Sequence, residues 1–360
     1  MPDTINIVEP TLVNEAGHCY SFISSLCKAG DGTRMLRLWA GRDAALTFAG
    51  KNVQIQKHFN RKIRRLQSYF LYRRLLATPG RIFISTAGRT DLLLIDWAAR
   101  GVVPPKKVYL YFHWFRPSEQ KIGQLRKLAL KQPNLEILGP TASVVKIFRD
   151  AGFGNANVVP YPILEQDVPN PAEPVAFRHL LFAGAARQDK GFSHVVDLVA
   201  HLHERGMNIP VTLQTSPEHY GKYDAKTRAD LQRLQAIGYA HLQLSRETLG
   251  KTEYAAQFEG AICLQLYDTE DFSDRISGVT LDAFSAGCPI LASSGTWIAR
   301  MAQRFDAGVV VEEMTPAKVL PAIQHIISNY AQFSRHASAA GETLQKENSA
   351  ATLFKIIANQ

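Results

Sequence analysis

Cysteine is scarce in this chain, with four in 360 residues. Cys19, Cys27, Cys263 and Cys288 are scattered, form no CxxC pair and share no Cys/His ligand spacing. That excludes a zinc-ligand framework and a disulfide scaffold, and reads as a protein kept reduced. Long apolar runs are also lacking: none approaches the ~20 residues of a membrane span. The first ten residues, MPDTINIVEP, carry an acid where a secretory leader needs bases. No short-period repeat or low-complexity tract occurs. The expectation is a cytoplasmic protein, with peripheral contact on the inner face of the membrane as its membrane option. Acidic residues are absent from one long segment, 51–76, which instead holds Lys51, Lys57, Arg61, Lys62, Arg64, Arg65, Arg73 and Arg74.

What is present describes a soluble globular chain: 46% hydrophobic and 20% charged residues, at a length sufficient for two domains with separate cores. The net charge of +9 calls for an acidic partner, whether anionic lipid, nucleic acid or a phosphorylated substrate. Read at helical spacing, the basic segment puts Phe59, Ile63, Leu66 and Phe70 on one face, Tyr69 and Tyr72 beside them, and Arg61, Lys62, Arg64 and Arg65 on the other side. Such a helix suits an anionic membrane or acceptor surface. Packing of its apolar stripe on its own domain is an equal alternative, and a nucleic-acid surface is a third.

Strand-like and helix-like runs alternate along the whole chain. INIVEP, MLRLWAG, RIFISTAG, KKVYLYFHWF and LEILG read as strands of a first domain. Gly17 and His18 stand at its first strand-to-helix turn, where a glycine lets backbone approach a ligand. His113 ends an apolar strand, the end at which open α/β sheets bind ligands. Pro160, Pro162, Pro169, Pro171 and Pro174 make a proline-dense stretch, read as a linker. A second α/β series follows, from HLLFAG to GVVVE. The expected division is a first domain over 1–165, a linker over 166–177, a second domain over 178–340, and a C-terminal helix over 341–360 that packs back on the first domain. The fold class is α/β, two doubly wound domains facing a central cleft.

Two segments of the second domain carry candidate chemistry. In GAARQDKG, Arg187 and Lys190 follow a strand beside Gly184 and Gly191. A planar guanidinium fork and a point charge can clamp a diphosphate, although Asp189 between them also permits a plain surface ion pair. In DTEDFSDRISGVTLDAFSAGCPILAS, Asp274 and Asp282 flank the start of a helix at Ser277 and Gly278. A helix N-terminus attracts anions, and two carboxylates beside it can grip hydroxyl groups; an ordinary helix-to-strand turn is the alternative.

Together FAGAARQDKG, the Asp274 to Asp282 block and VVPYP resemble the motifs of nucleotide-sugar glycosyltransferases of the GT-B fold, of the retaining family 4 type. The resemblance implies Rossmann-like domains and transfer of a sugar from a UDP- or GDP-sugar donor to a glycan or lipid-linked acceptor, in polysaccharide or glycolipid biosynthesis. It implies that Arg187 and Lys190 neutralise the diphosphate, with backbone N–H groups of Ser277, Gly278 and Val279. Asp282 would hold the ribose and Asp274 the donor sugar. His113 would reach the transferred sugar, and Gly17 and His18 the diphosphate or acceptor. No cofactor and no metal is expected, the nucleotide sugar being a substrate. The family has Glu at both acidic positions where this chain has Asp. Two rival functions stay open: a nucleotide- or sugar-phosphate-binding protein of the same shape, and a nucleic-acid-binding protein using 51–76.

Overall fold

The computed structural model describes residues 4–15, 18–48, 50–163, 175–215, 223–247 and 249–358. Two compact units divide the chain: Met1–Glu165 with Glu347–Gln360, and Gln166–Lys346. The first unit runs β1 (Thr4–Val8), α1 (His18–Lys28), β2 (Met35–Gly41), β3 (Val53–Phe59), α2 (Arg64–Leu76), β4 (Arg81–Ile84), α3 (Arg89–Ala98), β5 (Val108–Tyr111), α4 (Glu119–Lys131), β6 (Glu136–Gly139), α5 (Ala142–Asp150) and β7 (Ala156–Val158). Its strands form one parallel sheet in the order β3-β2-β1-β4-β5-β6-β7.

The second unit runs β8 (His179–Phe182), a 3-10 turn at Gln188–Lys190, α6 (Phe192–Glu204), β9 (Val211–Gln214), α7 (Ala225–Ile237), β10 (Leu242–Ser245), α8 (Lys251–Ala256), β11 (Ala261–Gln265), α9 (Thr269–Phe272), α10 (Gly278–Ser285), β12 (Ile290–Ser293), α11 (Trp297–Phe305), β13 (Gly308–Val311), α12 (Pro316–Ser328) and α13 (Tyr330–Glu347). Its parallel sheet has the order β10-β9-β8-β11-β12-β13. The last helix, α14 (Ala350–Ala358), packs on α1 of the first unit. Beside it, Ile163 N–H donates to Asn348 C=O at 3.2 Å.

The central strands are buried along their whole length because helices cover both faces. Every residue of AICLQ in β11 and of ILAS in β12 is buried. Against them α6 buries Val195, Val196, Leu198, Val199 and Leu202, the spacing of one helix face. In each sheet the winding direction reverses between two central strands, β1 and β4 in one, β8 and β11 in the other. The loops after those strands diverge, leaving a crevice at their carboxyl ends.

Two expectations need correction. The basic segment is not one helix: VQIQKHF pairs with β2 as an edge strand, its alternating polar residues half-exposed, and helix begins only at Arg64. Its apolar stripe packs on the domain only in part: Phe59 is buried in the core, and Tyr69 packs against it. Leu71, Tyr72 and Leu75 face inward, while Ile63, Leu66 and Phe70 are 52%, 57% and 60% exposed. The proline-rich linker lies mostly outside the described residues. Among the described residues, no helix is long and apolar enough to cross a membrane.

Candidate functional site

The segments after β8 and β11 meet at the carboxyl edge of the second sheet, where Asp268 N–H donates to Asp189 C=O at 3.0 Å. Glycine makes that approach possible. Gly191 has φ +73°, and a Cβ on it would fall 1.9 Å from the Leu266 carbonyl oxygen. Gly184 has φ +105°, and the space a Cβ would fill lies 2.9 Å from Lys190 Nζ. The Lys190 ammonium thus lies over the bare backbone of Gly184, 5.7 Å from the ring centre of Tyr267. Gly184 N–H itself is engaged by Gln214 Oε1 at 3.0 Å.

Arg187 is exposed and forms a two-pronged ion pair with Asp189, its Nε 2.8 Å from Oδ1 and its second nitrogen on Oδ2. Lys190 is half-buried. Loss of water around it, then the neighbouring Arg187 charge, push its ammonium down to about 8, against the pull of Asp189.

The α10 N-terminus is held to β11 through Gln265, which is wholly buried. Gln265 Oε1 accepts from Thr280 Oγ1 at 2.6 Å and from Ser277 Oγ at 3.3 Å, while Ser277 Oγ caps the helix by accepting from Thr280 N–H at 3.3 Å. By helix geometry the N–H groups of Gly278 and Val279 have no partner within the helix. The space where Gly278 would carry a Cβ is open to 4 Å. One turn on, Asp282 accepts from the Tyr254 hydroxyl at 3.1 Å. Burial pushes the Asp282 carboxyl up to about 6, against the Tyr254 hydrogen bond and the Lys190 charge. Asp274 lies before the helix and is paired with Arg300 of α11 at 3.1 Å. Arg187, Lys190, Asp274, Ser277, Gly278, Val279 and Asp282 therefore share one sheet edge.

Three side chains here were not visible as site residues in the sequence. Arg275 lies 4.0 Å from Asp189, Tyr254 reaches Asp282 from α8, and Arg300 reaches Asp274 from α11. Arg275 alone carried a signal, a cation inside the acidic block.

In the first unit His113 follows β5, and its Nε2 donates to the Ser85 carbonyl, at the end of β4, at 2.8 Å. Its ring packs among Phe22, Tyr111 and Tyr161. Ser85 Oγ donates to Glu9 Oε2 at 2.8 Å, and Glu9, at the end of β1, is 1% exposed. His18 opens α1, whereas Gly17 lies outside the described residues. Among the described residues no group of three or more His, Cys, Asp or Glu side chains is arranged to hold a metal ion.

No family model matches the chain, and no curated protein matches it in sequence. Solved structures do resemble it in shape. HepE from Anabaena, in complex with UDP-glucose, superposes with TM-score 0.68 at 13% identity, over 99% of this chain and 98% of that one. The α,α-trehalose 6-phosphate synthase of Burkholderia multivorans gives 0.71 at 12%, over 100% and 98%. WaaG, a glycosyltransferase involved in lipopolysaccharide biosynthesis, gives 0.68 at 12%, over 99% and 100%. At such identities the likeness is one of architecture: this chain has the GT-B fold, built from two Rossmann-like α/β units.

Proposed function

We propose that this chain is a glycosyltransferase that moves a sugar from a UDP- or GDP-sugar to a glycan or lipid-linked acceptor, with retention, as the family 4 resemblance implies. The observation that carries the reading is the meeting of Arg187, Lys190, the α10 N-terminus and Asp282 at the switch point of one parallel sheet. The likeness to HepE, whose structure holds UDP-glucose, supports the donor class.

Chemistry follows from charge. Cleavage of the sugar–phosphate bond leaves an extra negative charge on the departing diphosphate. Lys190, Arg187 and the helix N–H groups are aimed at that charge and stabilise it more in the transition state than in the bound donor. They supply the role that a divalent ion would otherwise fill, so transfer is proposed to need no metal. Asp282, ionised, accepts from the ribose hydroxyls. Asp274 takes sugar hydroxyls, exchanging its contact with Arg300. The departing phosphate accepts the acceptor's proton, so no protein base is required. Gly184 contributes by leaving room for Lys190. His113, Gly17 and His18 are proposed for the acceptor side.

The test follows release of nucleotide from labelled UDP- and GDP-sugars against pH. Donor use requires Asp282 ionised and Lys190 protonated, so it is expected to rise through about pH 6 and fall through about pH 8. A flat profile across that window removes both groups from the reaction. Absence of both binding and release with every donor overturns the reading.

A membrane-bound acceptor is supported by α2. Ile63, Leu66 and Phe70 are exposed along one stripe, with Arg73 and Arg74 exposed at its flanks and Arg61, Lys62 and Arg65 exposed nearby. Arg64 and Tyr69 are half-buried. An exposed apolar stripe bordered by cations fits an anionic lipid surface better than it fits RNA or DNA. Each apolar side chain buried in lipid contributes ~1.5–3 kcal/mol and each Arg near the headgroups ~1 kcal/mol. Changing Leu66 and Phe70 to Ser and Arg61 and Arg65 to Gln should therefore weaken sedimentation with phosphatidylserine-containing vesicles by about 100-fold or more. Nucleotide affinity should stay unchanged. Equal sedimentation of variant and wild type would assign the stripe no role at lipid.

A further inference from the structure

Arg275 brings a second guanidinium to Asp189. Its nitrogen lies 4.0 Å from Asp189 Oδ2, and its guanidinium carbon stands 4.9 Å from the Phe272 ring centre. Arg187 grips the same carboxylate with two nitrogens. One carboxylate thus faces guanidinium groups from both loops of the switch point, with the Lys190 ammonium on the adjoining residue. Two guanidinium groups therefore share one carboxylate, and a third cation, Lys190, adjoins it.

We propose that Asp189 is a resident counter-ion whose place on Arg187 and Arg275 is taken by a diphosphate, and that Arg275 is a third cation of this anion site. The inference rests on the donor-site reading above and deepens it. A carboxylate and a phosphate present the same two-oxygen edge to a guanidinium, so the exchange replaces one forked pair by another. The Asp189 side chain can release its partners without moving the main chain, because its carbonyl stays bonded to Asp268 N–H. In the empty site the counter-ion keeps like charges from driving each other apart. In the filled site a diphosphate diester supplies a negative charge on each phosphoryl group, one for each guanidinium that Asp189 releases.

An orienting role for Asp189 makes the opposite prediction. If the carboxylate only steers Arg187, its loss loosens anion binding; if it competes with the anion, its loss tightens binding. The experiment is calorimetry on the full chain at pH 7 and fixed ionic strength, with inorganic pyrophosphate, UDP and GDP as probes. The variants are Asp189→Asn, Arg275→Gln and Arg275→Lys, each checked by thermal melting for a folded state. Asp189→Asn should tighten pyrophosphate about tenfold and Arg275→Gln should loosen it about tenfold, the scale of one charge-assisted hydrogen bond. Arg275→Lys should recover part of the loss by restoring charge without the fork. Looser binding in Asp189→Asn, unchanged binding in Arg275→Gln, or no pyrophosphate binding by the wild-type chain overturns the inference. If pyrophosphate follows the expected pattern while neither UDP nor GDP binds, the counter-ion stands and the nucleotide-sugar reading falls.

Discussion

Replacing Lys190 with Met is expected to lower kcat for sugar transfer by about 10²–10³-fold, the usual scale for losing one preorganised group that stabilises a developing anion. The same substitution should leave the protein as stable as wild type or more so. Lys190 binds its proton less tightly in the folded chain, at about 8, than an exposed lysine does. A group with a lowered folded pKa costs stability while it is protonated, in full below about pH 8, and the cost fades as pH rises toward the unfolded value. At pH 7 the wild-type fold carries that cost, and Met, which fits against Tyr267 without a charge, removes it. A melting temperature held or raised together with lost turnover separates a functional lysine from a structural one. Lost turnover with a large fall in melting temperature would instead make Lys190 part of the scaffold.

Replacing Gly191 with Ala is expected to destabilise the second unit by roughly 2–5 kcal/mol, from a left-handed backbone costing ~1–2 kcal/mol and overpacking costing ~1–3 kcal/mol. The added methyl would lie 1.9 Å from the Leu266 carbonyl oxygen, a backbone atom that cannot rotate away. Gly206 is the internal control. It has φ +61° with nothing within 4 Å of its Cβ position, so Gly206→Ala isolates the conformational cost. The gap between the two denaturant midpoints measures how tightly the segments after β8 and β11 are held together. Equal midpoints would show that the contact yields freely and that Gly191 matters only for its φ. Because Lys190 precedes Gly191, the loss of donor affinity in Gly191→Ala should exceed that in Gly206→Ala.

The legibility of this fold tracks burial. Central strands such as AICLQ and ILAS are covered on both faces, so they read as apolar runs bounded by turns. The two strands not anticipated, β3 and β7, lie at the edges of the first sheet, one with half-exposed polar residues and one only three residues long. The spacing of the basic and apolar residues in 51–76 suits a single helix, whereas the period-two alternation within VQIQKHF suits the edge strand that forms. Exposure of Ile63, Leu66 and Phe70 was invisible for another reason: an apolar stripe reads the same whether it meets a core or water. In the site, GAARQDKG and the acidic block were readable because glycines and charges recur at the ends of apolar runs. Tyr254 and Arg300 were not, since each reaches the site from an element distant in sequence. Arg187 and Asp189 were adjacent enough for an ion pair to be anticipated, yet whether Asp189 faced one arginine or two depended on packing of the segment after β11.

The placement of α14 bears on the order in which this protein can be completed. Its helix covers α1, so the first unit is assembled from both ends of the chain. During synthesis every residue of the second unit emerges before α14 does. The second unit can close its core as soon as α13 is made, whereas the unit begun first is finished last. A nascent chain halted before residue 350 would hold a complete second sheet and an α1 whose covering helix does not yet exist.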